Sequence, residues 1–128
     1  MNYLNLESTS TTPSVVFGED RRLMIKGRSI PADVSSFYST LIEWATGLQT
    51  DKVLVDIDLE YMNSSSSKKL LLLLKALDNN KAVGHLSVIW HYDKDDEDAL
   101  VNGQVFEKSL PKALFRFSPN ADEKKMST

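Results

Sequence analysis

Strict apolar–polar alternation runs directly into a leucine-rich helix at one point in this chain, and that junction constrains the fold more than any other stretch. In Lys52–Leu59 (KVLVDIDL), Val53, Val55, Ile57 and Leu59 fall on one side, and Leu54, Asp56 and Asp58 on the other. A period of two marks a β-strand with one apolar face. The other side turns polar towards its end, as expected for a strand whose exit lies near the surface. After Glu60–Ser67 (EYMNSSSS) the period changes. Leu70, Leu71, Leu73, Leu74 and Leu77 make a broad helical face, with Lys68, Lys69, Lys75 and Asp78 left for solvent. Serines at 64–67 suit the start of such a helix, where side-chain oxygens cap free N–H groups. Strand, short turn and helix together form the unit of layered α/β folds.

The flanking segments extend that unit. Ser14–Phe17 and Leu23–Ile25 surround Gly18-Glu19-Asp20, the pattern of a hairpin. Gly27–Pro31 is a loop, and Pro31 and Asp33 stand where a helix begins. Its apolar stripe is Val34, Phe37, Tyr38, Leu41, Ile42, Ala45 and Leu48, with Trp44 at the edge. Leu86–His91 (LSVIWH) reads as a strand, Asp93–Asp98 (DKDDED) as a charged loop, Ala99–Lys108 as a helix and Ala113–Phe117 as the last strand. The predicted order is β-β-α-β-α-β-α-β, an α/β fold with a mixed β-sheet and helices packed on it. No repeat or linker divides residues 1–128, so one domain is expected. Residues 1–11 and 118–128 read as flexible ends, and the polar run 7–14 as an extended lead-in.

Composition narrows the function. A chain of 128 residues with a 41% hydrophobic fraction supports one core without staples. It has no cysteine, which removes disulfides, thiolate metal sites and cysteine nucleophiles. Net charge −3 and a pI of about 5.3 argue against nucleic-acid binding. The longest apolar run, Leu70–Leu74, is far shorter than the ~20 residues of a membrane span. The opening MNYLNLEST lacks the basic start and apolar stretch of a secretory signal. A cytoplasmic protein without membrane association is expected. With five glycines and neither a Gly-x-Gly-x-x-Gly nor a P-loop pattern, no nucleotide cofactor is expected. Asp93, Asp95, Asp96, Glu97 and Asp98 lack the glycine and terminal glutamate of a calcium loop. They read as a solvated loop, or as a contact for a basic surface. The aromatic residues Phe37, Trp44, Trp90, Phe106, Phe115 and Phe117 read as core.

The serine run carries the most chemistry. A helix N-terminus presents free N–H groups and partial positive charge, so it accommodates phosphate. A serine exposed there is open to a kinase, and phosphorylation adds about −1.5 to −2 charges. The plain alternative is a serine-rich cap with no chemistry. A Ser/His/Asp hydrolase using Ser64 with His85 or His91 is a further alternative, but the chain has no Gly-x-Ser-x-Gly elbow.

Four pieces in order resemble the SiaC family of bacterial regulatory phosphoproteins. They are Thr12-Pro13, Gly27-Arg28-Ser29-Ile30-Pro31 with the helix after it, Tyr61-Met62-Asn63-Ser64-Ser65-Ser66 behind an acidic strand, and Trp90-His91-Tyr92-Asp93. The similarity runs from about residue 12 to 117. It implies a fold like the STAS domains of anti-sigma-factor antagonists, in which a serine or threonine at the strand-to-helix turn is reversibly phosphorylated. In the family the acceptor directly follows an asparagine, which here makes it Ser64, with Ser65 the competitor. The resemblance implies a non-enzymatic partner switch with a serine/threonine protein kinase and a PP2C-type phosphatase. The unphosphorylated form would bind and activate a GGDEF-type diguanylate cyclase, raising cyclic di-GMP and favouring biofilm or aggregation. The alternative is an anti-sigma-factor antagonist in a sigma-factor switch. The expected partner-binding residues are Asn63, Ser64, Ser65 and Lys68, with Asp56 and Asp58 on the strand leading to them.

Overall fold

In the computed structural model, which describes residues 3–120, the elements are β1 (Leu4–Leu6), β2 (Ser14–Phe17), β3 (Arg22–Ser29), α1 (Val34–Gly47), β4 (Lys52–Met62), α2 (Ser64–Asn79), β5 (His85–Asp93), α3 (Glu97–Ser109) and β6 (Leu114–Asn120). All the strands join one sheet in chain order, β1-β2-β3-β4-β5-β6. The first three pair antiparallel, and β3 to β6 pair parallel. Each parallel step crosses over through a helix. Right-handed crossovers that all advance the same way put their helices on the same face of the sheet.

The register shows why these residues fold this way. Leu6, Val15, Ile25, Ile57, Trp90 and Phe117 stand opposite one another across the sheet. Leu4, Phe17, Leu23, Val55, Val88 and Phe115 form the next row. Apart from the exposed Leu6, these rows pack against Tyr38, Leu41 and Ala45 of α1, Leu70, Leu73, Leu74 and Leu77 of α2, and Phe106 of α3 in one core. The opposite face carries Val16, Met24, Asp56, Ile89 and Arg116 in register. A one-residue slip in any strand would exchange these two faces, so burial specifies the register.

The predicted order holds from Ser14 onwards, and an extra strand precedes it. Leu4–Leu6 pairs with Val15–Phe17, and Thr9 closes a turn by accepting from the N–H of Thr12 at 2.9 Å. The expectation of flexible ends is therefore corrected at 4–6. It is also corrected at 118–120, which continue β6 beside His91–Asp93; residues 121–128 lie outside the described residues. Both corrections have one cause: edge pairing satisfies backbone groups whatever the side chains are. Strand β4 is longer than the alternation showed, because Tyr61 and Met62 pair with Arg28 and Ser29 across a bulge at Gly27. Asp78 is buried rather than solvated, since its Oδ1 accepts the N–H of Lys112 at 3.1 Å.

Candidate functional site

The turn after β4 is held from three sides. The Asn63 N–H donates to the carbonyl of Ser29 at 3.3 Å, tying the turn to the end of β3. The Asn63 side chain caps α2, its Oδ1 accepting from the N–H of Ser66 at 2.8 Å. The Ser67 N–H donates to the Asn63 carbonyl at 2.9 Å. The cap is therefore Asn63, and the serines lie inside the first turn rather than capping it. An asparagine oxygen at this position satisfies a donor that the helix cannot.

This geometry gives the four serines different roles. Ser64 and Ser65 are exposed. Ser66 is fully buried, beside a Tyr38 phenol that also lies 2.5 Å from the Ser29 hydroxyl. Burial pushes the Tyr38 phenol above its ordinary pKa, while the Ser29 and Ser66 hydroxyls pull it down. Ser67 accepts from Asn102 Nδ2 at 3.1 Å, joining α2 to α3.

A cleft of about 570 Å³ opens at the carboxyl ends of β4 and β5, between the starts of α2 and α3. Crevices at this edge of a parallel sheet are the usual ligand sites of such folds. Ile57, Leu59, Met62 and Trp90 supply its apolar lining, and Asn63, Ser64, Ser67 and Lys68 the α2 side. Asp96, Asp98, Ala99 and Asn102 come from the start of α3, and Glu60, Tyr61 and His91 complete it. Trp90 is fixed in place: its Nε1 donates to the Ala99 carbonyl at 3.1 Å, and its ring lies 4.9 Å from that of Phe106.

The structure thus brings Asn63, Ser64 and Lys68 together, with Ser65 adjoining. Neither Asp56 nor Asp58 lines the cleft. Asp56 stands on the opposite sheet face, only 8% exposed. Its carboxylate bridges His91 Nε2 at 2.7 Å and Arg22 Nη1 at 3.3 Å. Its polarity serves the sheet, while the strand's end is exposed at Glu60 and Tyr61, in keeping with the expectation of an exit near the surface. His85 lies at the other end of β5, among Glu19, Asp20 and Lys52. No hydrogen bond joins Ser64 to either histidine among the described residues. Among these residues no cluster of His, Asp and Glu could hold a metal ion. Asp96 caps α3 through the N–H of Ala99 at 3.0 Å, and Asp93 accepts from the N–H of Asp95 at 3.2 Å. Sequence reasoning missed Asn102, Asp96 and Asp98 as cleft residues. Asp96 with Glu97 and Asp98 has the signature of a helix start, but nothing local shows that this start faces Ser64.

The model of the SiaC family regulatory phosphoproteins matches residues 6–120. The chain belongs to that family. Solved structures agree on the SiaC fold. The crystal structure of apo-SiaC from Pseudomonas aeruginosa superposes with a TM-score of 0.76 at 23% identity, over 92% of this chain and 99% of that one. A chain in the crystal structure of the diguanylate cyclase SiaD with its activator SiaC, from Pseudomonas aeruginosa, gives 0.79 at 22% identity, over 91% and 99%. Among curated protein sequences none matches. The strands of the described residues form a single sheet, and none of the described helices is long and apolar enough to cross a membrane.

Proposed function

We propose that this SiaC-family protein is a cytoplasmic, non-catalytic partner switch that binds and activates a diguanylate cyclase when Ser64 is unmodified. A serine/threonine kinase closes the switch at Ser64, and a PP2C-type phosphatase reopens it. The observation that carries this reading is the sorting of the serine run. Ser64 alone is both exposed and part of the cleft, whereas Ser66 is buried and Ser67 is bonded to Asn102. The likeness to SiaC bound to a cyclase supports the choice of partner.

The physics of the switch is local. Phosphate on the first turn of α2 lies at the positive end of the helix dipole, so it leaves the helix intact. A partner covering the turn must bury that charge. Burial without an opposing cation costs several kcal/mol, and ~4 kcal/mol is about a thousandfold in affinity. Affinity is then lost without refolding.

The test is a pull-down from native cells with wild-type, Ser64→Ala and Ser64→Asp baits, read by mass spectrometry. A diguanylate cyclase should be retained by the first two baits and lost with the third. Retention by all three, together with native phosphate mapped outside residues 64–67, would overturn the reading.

A further inference from the structure

Hydroxyls from three elements meet under the turn. Ser29 of β3, Tyr38 of α1 and Ser66 of α2 are each at most 1% exposed, beside a core that is otherwise apolar. The Tyr38 phenol and the Ser29 hydroxyl lie 2.5 Å apart. The Ser66 hydroxyl has no hydrogen-bond partner of its own among the described residues. It lies beside the phenol and pulls the phenol pKa down. A phenol donates once and accepts twice, so one phenol can serve two serines. The backbone of Ser66 is held separately, its N–H donating to Asn63 Oδ1 at 2.8 Å.

We infer that Tyr38 is a positioning residue for modification of this turn: its phenol seats the Ser66 hydroxyl, and that seat determines which serine of Ser64–Ser67 is presented to a kinase. The inference rests on the reading of this turn as the modified one. Consecutive identical serines offer no local feature that singles one out. The leucine face fixes the body of α2, because a slip of one residue would turn Lys69 or Lys75 inward in place of a leucine. The first turn has no leucine and depends on polar contacts. Without the phenol, the Ser66 hydroxyl would be buried with its nearby polar group gone. That cost is at least as large as the contribution of an asparagine cap, so the turn would open and let the hydroxyl reach water. An open turn offers Ser65 and Ser66 as readily as Ser64. Tyr38 thus acts through Ser66 and touches neither phosphate nor kinase.

The test joins amide hydrogen exchange of the unmodified full chain to phosphate mapping in native cells. In Tyr38→Phe the Ser66 and Ser67 amides should exchange about tenfold faster relative to those of Leu73 and Leu77, the size expected for one hydroxyl left without a polar neighbour. An equal rise along the whole helix marks a general loss of stability and overturns the positioning role. The share of phosphate on Ser65 and Ser66 should also rise about tenfold over wild type. Adding Ser66→Ala to Tyr38→Phe removes the stranded hydroxyl and should restore both wild-type values; failure to restore them overturns the seat. Ser29→Ala leaves the phenol to Ser66 alone, so exchange at 66 and 67 should be no faster than in wild type. Faster exchange there overturns the seat, and this variant decides the matter if Tyr38→Phe does not fold. Phosphate confined to Ser64 in a folded Tyr38→Phe chain overturns the seat and leaves the Ser64 reading standing. Phosphate on Ser65 in wild type, redistributed by Tyr38→Phe, removes Ser64 as acceptor and supports the seat. Phosphate outside residues 64–67 overturns both.

Discussion

At the residue scale, Asn63 does more for the turn than the serines around it. It takes the Ser66 N–H with its side chain, and its own N–H reaches Ser29. Replacing Asn63 with Ala should lower unfolding stability by about 1 kcal/mol in a urea titration, while Asn63→Asp should keep most of it. Tyr38 gives a second, pH-dependent signature. Its folded pKa is raised by burial above the unfolded value. The folded state then holds a proton that the unfolded state releases above about pH 10. The contribution is complete below that pH and is lost as pH rises towards the folded value. Alkaline unfolding curves should show this loss in wild type and a flatter limb in Tyr38→Phe.

At the scale of elements, two glycines separate what packing forbids from what it tolerates. A Cβ on Gly103 would lie 2.7 Å from Trp90 Nε1 and 2.8 Å from two ring carbons. The ring cannot retreat, because Ala99 and Phe106 hold it. Gly103→Ala should therefore destabilise by roughly 1–3 kcal/mol and shift the fluorescence of Trp90. At Gly84 the nearest atom to an added Cβ is the carboxylate oxygen of Asp51, at 2.5 Å. Asp51 is exposed and can rotate away, so Gly84→Ala should change thermal stability far less than Gly103→Ala. The elements themselves were largely legible in the chain. The periods of Lys52–Leu59, of the leucine helix and of Val34–Leu48 reflect burial on one face, which a local pattern records. Strand β1 was not legible: Leu4–Leu6 is too short for a period, and its pairing with Val15–Phe17 depends on residues far along the chain.

At the scale of the molecule, Asp56 links three strands. Its carboxylate joins β4 to Arg22 on β3 and to His91 on β5, behind the face that carries the helices. Asp56→Asn keeps the shape but removes the charge, and should cost roughly 1–3 kcal/mol in chemical denaturation. If the partner docks at the α2 turn, the same variant should retain it at the wild-type level in the pull-down. Loss of the partner with unchanged stability would place Asp56 in the interface after all.

Periodicity, the asparagine–serine turn and the absence of cysteine were enough to indicate an α/β domain with a strand-to-helix turn open to modification. Those are properties of neighbouring residues, and neighbours in sequence carry them. Assembly determined the rest. Whether a serine in SSSS is exposed, buried or bonded depends on Tyr38, Ser29 and Asn102, which approach from three other elements. Whether Asp56 meets a partner or a histidine depends on the register of β4 against β5. Long-range contacts set solvent access and electrostatic partners, and a residue's reactivity follows from those rather than from its type.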